Sequence, residues 1–306
     1  MKTGFISGTV FLYVVTILTG GTSWYAAKLQ LSSVAPVISL IYRFGAASTL
    51  LLLFAAITGK RLRYSWSQHA AMAMLGGFGF SVAFLLIYKA AAMITTGLIA
   101  LTYSAVVLLN VVNTRVFLKT PITRPVMAGN LLGLAGMALV FLPELPAGSS
   151  SWLGFAYALA ATLAFSFANI SAVQLQGRGV EVLPLTGVSM AYGALFLLGY
   201  AVWTDHSFTF DMSPSYAVSL IYLILFPSII GYTTYFAVIG RLGAERGAYT
   251  MLFVPLVALA ISSITEGYRP TLLATIGTLM VLAGNYCVIV NKSKAARPQA
   301  GSSSVE

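Results

Sequence analysis

Acidic side chains are scarce in this chain: seven Asp and Glu stand against 17 Lys and Arg, and charged residues make up 8% of the whole. So few charges cannot clothe a water-soluble domain of 306 residues that is 58% apolar, which excludes an ordinary soluble fold. Histidine is nearly missing too. His69 and His206 are the only two, each at the end of an apolar run, and no His, Cys, Asp or Glu cluster has metal-ligand spacing. Neither a metal centre nor an intramembrane acid–base enzyme is expected, and no cofactor is called for. The single cysteine, Cys287, cannot close an intramolecular disulfide and reads as packing.

What the chain has instead is long apolar runs. Windows of about 19 residues mark ten of them, roughly 5 to 27, 34 to 57, 69 to 90, 95 to 116, 125 to 142, 152 to 174, 182 to 203, 215 to 239, 247 to 267 and 271 to 290. The expected fold class is an all-α polytopic membrane protein with ten transmembrane helices, its surface facing the lipid bilayer. The first run, which follows Lys2 and ends at Ala26 and Ala27, has the look of a signal peptide. Its length and its likeness to 152–174 favour a retained helix. Counted from a cytoplasmic N-terminus, Lys60, Arg61, Arg63, Arg115, Lys119, Arg124, Arg178, Arg241 and Arg246 fall at inner ends, whereas Lys28, Lys89 and Arg269 fall near outer ones. The net charge of +10 is therefore a topology signal that puts both termini in the cytoplasm, and no nucleic-acid partner is expected.

The chain also repeats itself. Gly97-Leu-Ile-Ala-Leu-Thr-Tyr-Ser-Ala-Val-Val aligns without gaps on Gly247-Ala-Tyr-Thr-Met-Leu-Phe-Val-Pro-Leu-Val, and Gly129-Asn-Leu-Leu-Gly-Leu-Ala-Gly136 matches Gly277-Thr-Leu-Met-Val-Leu-Ala-Gly284 at Gly, Leu, Leu, Ala and Gly. Pro36 and Pro184 open equivalent runs, with Gly45 and Gly193 at the same offset. The expected organisation is a five-helix repeat over 1–146, a second over 147–291 and a disordered cytoplasmic tail over 292–306. Five crossings is an odd number, so the copies insert with opposite orientation, and such pairs build carriers that work by alternating access. The working unit is expected to be a monomer moving a small-molecule substrate.

Polar and aromatic residues at helical spacing inside apolar runs are expected to face a path through the bundle. They are Tyr13, Gly20 and Trp24 in the first run, Phe80, Phe84 and Tyr88 in the third, and Tyr103, Ser104 and Asn110 in the fourth. Phe165, Ser166 and Asn169 follow in the sixth, Tyr232 and Tyr235 in the eighth, and Phe253 in the ninth. The cavity they define is aromatic and neutral, and suits a ring-bearing solute with a polar head. Simple packing competes for each of these side chains, and Trp66, Trp152 and Trp203 at run ends read as interfacial belt residues. Gly20, Gly21, Pro227 and Pro255 are the candidate hinges; each proline removes a backbone hydrogen bond and is expected to kink its helix. Ala105 and Val116 stand where the second half has Pro255 and Glu266, which makes the second half the expected gate.

No Asp or Glu lies mid-run. Glu144, Asp205, Asp211 and Glu266 gather at outer ends and Glu181 and Glu245 at inner ones, which argues against a proton relay, Glu266 being the candidate exception. Arg43, about seven residues into the second run, is expected to pair with carbonyls or snorkel outward in preference to binding a substrate carboxylate, and Lys89 to snorkel.

Trp24-Tyr-Ala-Ala-Lys28, Arg43-Phe44, the stretch from Ala248 through Pro255 to Glu266-Gly267, and the glycine-rich fifth and tenth runs together resemble the drug/metabolite transporter superfamily, and within it the ten-helix EamA-type exporters. The likeness covers essentially the whole chain. It implies a carrier in the bacterial cytoplasmic (inner) membrane that exports aromatic and other hydrophobic amino acids, and some toxic solutes, with no cofactor. Combined with the missing mid-run carboxylates, it suggests uncoupled export. A proton-coupled drug/metabolite antiporter and a channel-like pore stay open as alternatives.

Overall fold

A computed structural model describes residues 2–31, 34–119, 122–141, 149–238 and 250–295. The expectations for Glu144, Arg241, Glu245, Arg246, Gly247 to Tyr249 and the stretch beyond 295 lie outside the described residues. Among those residues regular structure is helix alone. In chain order the helices are α1 (Lys2–Lys28), α2 (Pro36–Ile57), α3 (Trp66–Ala91), α4 (Thr96–Phe117) and α5 (Arg124–Phe141). Then come α6 (Ser149–Gly177), α7 (Val182–Trp203), α8 (Pro214–Val238), α9 (Thr250–Thr265) and α10 (Leu272–Ala295). The last continues into the stretch expected to be tail.

Among the described residues seven of these helices, α1 to α4 and α6 to α8, are long and apolar enough to cross a membrane, and α5, α9 and α10 contain the apolar stretches Arg124–Val140, Phe253–Thr265 and Leu272–Cys287. Their ends follow local chemistry. Pro36 and Pro214 each sit in the first turn of a helix, where a missing N–H costs nothing. Ser65 and Gln68 form a capping box at the start of α3, with Gln68 N donating to Ser65 Oγ at 3.3 Å and Ser65 N to Gln68 Oε1 at 2.9 Å. Gly59, Gly179 and Gly267, with φ of 68°, 77° and 68°, turn the chain after α2, α6 and α9.

Packing follows small residues, since lipid gives helices no hydrophobic reason to associate. A Cβ on Gly136 of α5 would lie 2.5 Å from the carbonyl oxygen of Gly277 of α10, and a Cβ on Gly284 would lie 2.6 Å from that of Gly129. The repeated glycines thus make one helix crossing with each other. α2 lies along α7, and α1 packs on α8 and α9 as α6 packs on α3 and α4.

Two helices change winding inside the bundle. α3 is π-helical over Leu75–Val82, and α8 over Ile224–Gly231, which includes Pro227. Each sits among hydrophobic neighbours, where a π turn keeps its backbone bonded internally while widening the helix. Pro255 lies inside α9, which is helical over all its described residues, Thr250–Thr265. A break falls in α4, at Ser104 and Ala105, where Ala105 N bonds Thr102 O at 3.0 Å and Val107 N bonds Ser104 O at 3.2 Å. Asn285 of α10, fully buried, donates Nδ2 to the Ser104 carbonyl at 3.3 Å. The loosened backbone is therefore satisfied from a neighbouring helix.

One end of the bundle is tied by Glu266. Its Oε1 accepts from Lys28 Nζ at 2.5 Å and its Oε2 from Thr96 N at 3.0 Å, with Thr96 Oγ1 donating to the same oxygen. A carboxylate after α9 thus caps the positive N-terminus of α4 and holds the end of α1.

Candidate functional site

A cavity of about 80 Å³ lies between α1, α2, α3, α4, α6, α8 and α9. Both halves of the chain supply its wall. A belt of rings runs round it: Trp24 meets Tyr103 at 5.1 Å between centroids, Tyr103 meets Phe165 at 5.1 Å, Phe165 meets Tyr232 at 6.2 Å and Tyr232 meets Phe84 at 6.2 Å. These spacings and their tilted or edge-on geometry are those aromatic pairs prefer. Their consequence is an apolar wall that a flat or branched side chain can contact on several sides.

Most hydroxyls on the wall are already committed. Thr16 Oγ1 donates to Thr234 Oγ1 at 2.8 Å, joining α1 to α8, while Thr19 and Ser23 bond carbonyls of their own helix at 2.7 Å. Trp24 Nε1 and the Tyr103 hydroxyl are not: both are buried, and neither has a partner among the described residues. Arg43 also faces the cavity. It is 1% exposed, so it does not snorkel, and its Nε donates to Ser228 Oγ at 2.9 Å. Its guanidinium lies 5.0 Å from the Phe44 ring centroid and 4.9 Å from that of Phe84. The cavity expected to be neutral therefore contains a fixed positive charge.

Of the residues singled out by helical spacing, Gly20, Trp24, Phe84, Tyr103, Phe165, Pro227, Tyr232 and Tyr235 line this cavity. The others do not. Phe80 stands behind the wall, 4.9 Å from the Tyr232 ring, and Tyr88 is fully buried, donating to Gln30 Oε1 at 2.7 Å. Ser104 marks the break in α4. Asn110 and Ser166 belong to a tie between α4 and α6, in which Asn113 Nδ2 donates to Ser166 Oγ at 2.8 Å and Ser166 Oγ to Asn110 Oδ1 at 2.7 Å. Asn169 is buried beside Tyr235, Tyr13 is half-buried farther along α1, and Phe253 is 50% exposed on the outside of α9. Gly21 is a contact residue, since a Cβ there would lie 2.5 Å from Val257 Cβ, and Pro255 is buried without reaching the cavity. Spacing missed Thr19, whose hydroxyl was a signal, and Ile87, Gly231 and Val254, whose residue types signal nothing, and it undervalued Arg43, whose depth in an apolar run was itself the signal.

Membrane-length apolar helices packed around an internal, ring-lined cavity define a polytopic membrane protein with an interior site. The sequence pattern of the EamA-like transporter family matches residues 7–142 and again residues 152–290, so the chain belongs to that family. It is similar to "Uncharacterized transporter YvbV" of Bacillus subtilis (strain 168), 23% identical over 298 residues that cover 95% of this chain and 94% of the relative. A "Probable terminal-alkyne amino-acid exporter" of Streptantibioticus cattleyicolor is 25% identical over 95% of this chain and 96% of its own length. A "Probable amino-acid metabolite efflux pump" of Salmonella typhimurium is 23% identical, over 90% and 93%. A crystal structure superposes with a TM-score of 0.68 at 15% identity, covering 95% of this chain and 99% of that one, and so shares the fold.

Proposed function

We propose that this protein exports aromatic and other hydrophobic amino acids across the bacterial inner membrane by alternating access, without coupling to an ion. The observation that carries the reading is the ring-lined cavity, walled from both halves of the chain and holding buried polar groups with unused hydrogen-bonding capacity. Relatives whose names describe amino-acid export support the substrate class, and this reading takes the bacterial aromatic amino-acid exporter YddG as the protein this chain is most like. The functional unit in this reading is a monomer with both termini cytoplasmic.

Several observations favour ten crossings arranged as two inverted five-helix repeats. The family pattern matches once in each half. The π-helical segments of α3 and α8 fall at closely matching places in the two copies, and exchanging α1 for α6, α3 for α8 and α4 for α9 maps the packing of α1 on α8 and α9 onto that of α6 on α3 and α4. A carrier built this way opens by moving one group of helices against the other around a central site. At about 80 Å³ the cavity is smaller than the ~300–1,000 Å³ of pockets that enclose drug-sized ligands. Admitting a ring-bearing solute thus requires the wall to part, and Gly20, Gly21, Pro227 and Pro255 remain the proposed hinges.

Uncoupled transport is favoured because no described residue brings a carboxylate to the cavity wall, and Glu266 is engaged by Lys28 and Thr96. The test is counterflow of labelled phenylalanine, tryptophan, threonine and a quaternary ammonium dye in proteoliposomes, with and without a pH gradient. Amino-acid counterflow indifferent to the gradient is expected. Stimulation by the gradient would end the uncoupled reading, and movement of the dye alone would end the substrate reading.

A further inference from the structure

A guanidinium in a membrane interior is costly unless paired, and arginine cannot shed its proton to escape the cost. Arg43 is buried against the cavity, yet no carboxylate of the described residues forms an ion pair with it. The Phe44 and Phe84 faces attract the cation and Ser228 accepts its Nε–H, but neither supplies negative charge. The Tyr88 hydroxyl also meets the guanidinium, while its proton goes to Gln30.

The other unused groups on the wall have the same polarity. Trp24 Nε1 can only donate, and the Tyr103 phenol donates readily; both are buried and unpartnered among the described residues. A guanidinium, an indole N–H and a phenol together ask for a group that only accepts, and a carboxylate is such a group. Nothing described on the wall offers an ammonium group the reciprocal anion. We infer that the cavity recognises its solute by a carboxylate seated on Arg43, and that the solute's amino group is dispensable, so that aryl and branched monocarboxylates without an amine are ligands as well. This deepens the transport reading, on which it rests for the apolar part of the solute.

The decisive probes are the two halves of phenylalanine's polar head. 3-Phenylpropionate keeps the carboxylate and lacks the amine; phenethylamine keeps the amine and lacks the carboxylate. Binding to the purified full chain in detergent is read from ligand-dependent shifts in melting temperature across a concentration series. Phenylpropionate is expected to bind within about tenfold of phenylalanine, and phenethylamine at least about tenfold more weakly, the scale of one charge-assisted hydrogen bond lost. Phenethylamine binding as well as phenylpropionate, or phenylpropionate failing to bind where phenylalanine does, overturns the inference.

In Arg43→Gln the preference for the acid is expected to collapse to within about threefold, with Arg43→Lys intermediate because it keeps the charge without the fork. A folded, monodisperse Arg43→Gln that keeps the preference also overturns it; should that variant not fold, the wild-type pair of probes still decides. The two readings separate cleanly. Acid-selective binding without phenylalanine counterflow defeats amino-acid transport and leaves the carboxylate site, whereas counterflow with the amine as the tighter ligand does the reverse.

Discussion

Gly136 and Gly277 face each other so closely that a methyl group on either would lie 2.5 Å from the other's carbonyl oxygen. Replacing Gly136 or Gly277 by alanine is therefore expected to push α5 and α10 apart and to cost about 1–3 kcal/mol, the range for overpacked sites. Gly199→Ala is the control, because nothing lies within 4 Å of a Cβ there and helix propensity favours alanine by up to about 1 kcal/mol. Thermal melts of the purified variants read the contrast.

Glu266 ties three helices at one end of the bundle, and its ionisation is linked to that tie. Burial pushes its carboxyl up from the ordinary 4.5, but the hydrogen bonds from Lys28 and Thr96 help outweigh burial and hold it below that value. A carboxylate lowered on folding stabilises above its unfolded value and loses that contribution as pH falls through the folded one. Melting temperature is thus expected to decline as the pH drops below about 4.5, and Glu266→Gln to melt lower at neutral pH with a flatter acid limb. Parallel acid limbs for the two proteins would show that the carboxylate contributes nothing.

Ser166 links Asn113 to Asn110 between α4 and α6. Ser166→Ala removes both bonds and leaves the buried Asn113 amide without this acceptor, a loss of about 1–3 kcal/mol. Because the hydroxyl does not reach the cavity, transport per folded molecule is expected to stay at the wild-type level while the melt shifts down.

Tyr103 separates ring from hydroxyl. Tyr103→Phe keeps the contacts with Trp24 and Phe165 and deletes a buried group with no partner among the described residues, so stability is expected to hold or rise. Counterflow is expected to fall, since the phenol is proposed to bind the solute. Unchanged counterflow in the phenylalanine variant would remove Tyr103 from the binding groups.

Much of the bundle is legible in the chain because bilayer thickness sets the length of an apolar run. The run read as 182 to 203 is α7, and those read as 34 to 57 and 95 to 116 differ from α2 and α4 by a residue or two at the ends. Side-chain phase was harder to read. A stripe of polar residues assumes 3.6 residues per turn, and the π-helical windings of α3 and α8 and the break at Ser104 and Ala105 each shift that phase. Tyr103, just before the break, reaches the cavity; Asn110, just after it, serves the tie to α6. The break itself has no proline to announce it: the backbone loosens where Asn285 Nδ2 donates to the Ser104 carbonyl.

The burial of Arg43 has a consequence for the membrane as well as for a solute. A central site whose fixed charge is positive repels hydronium, sodium and potassium, as an arginine does in pores that must conduct nothing small and cationic. In the proposed alternating-access cycle such a centre would keep the carrier's rearrangements from short-circuiting the ion gradients on which its cell runs.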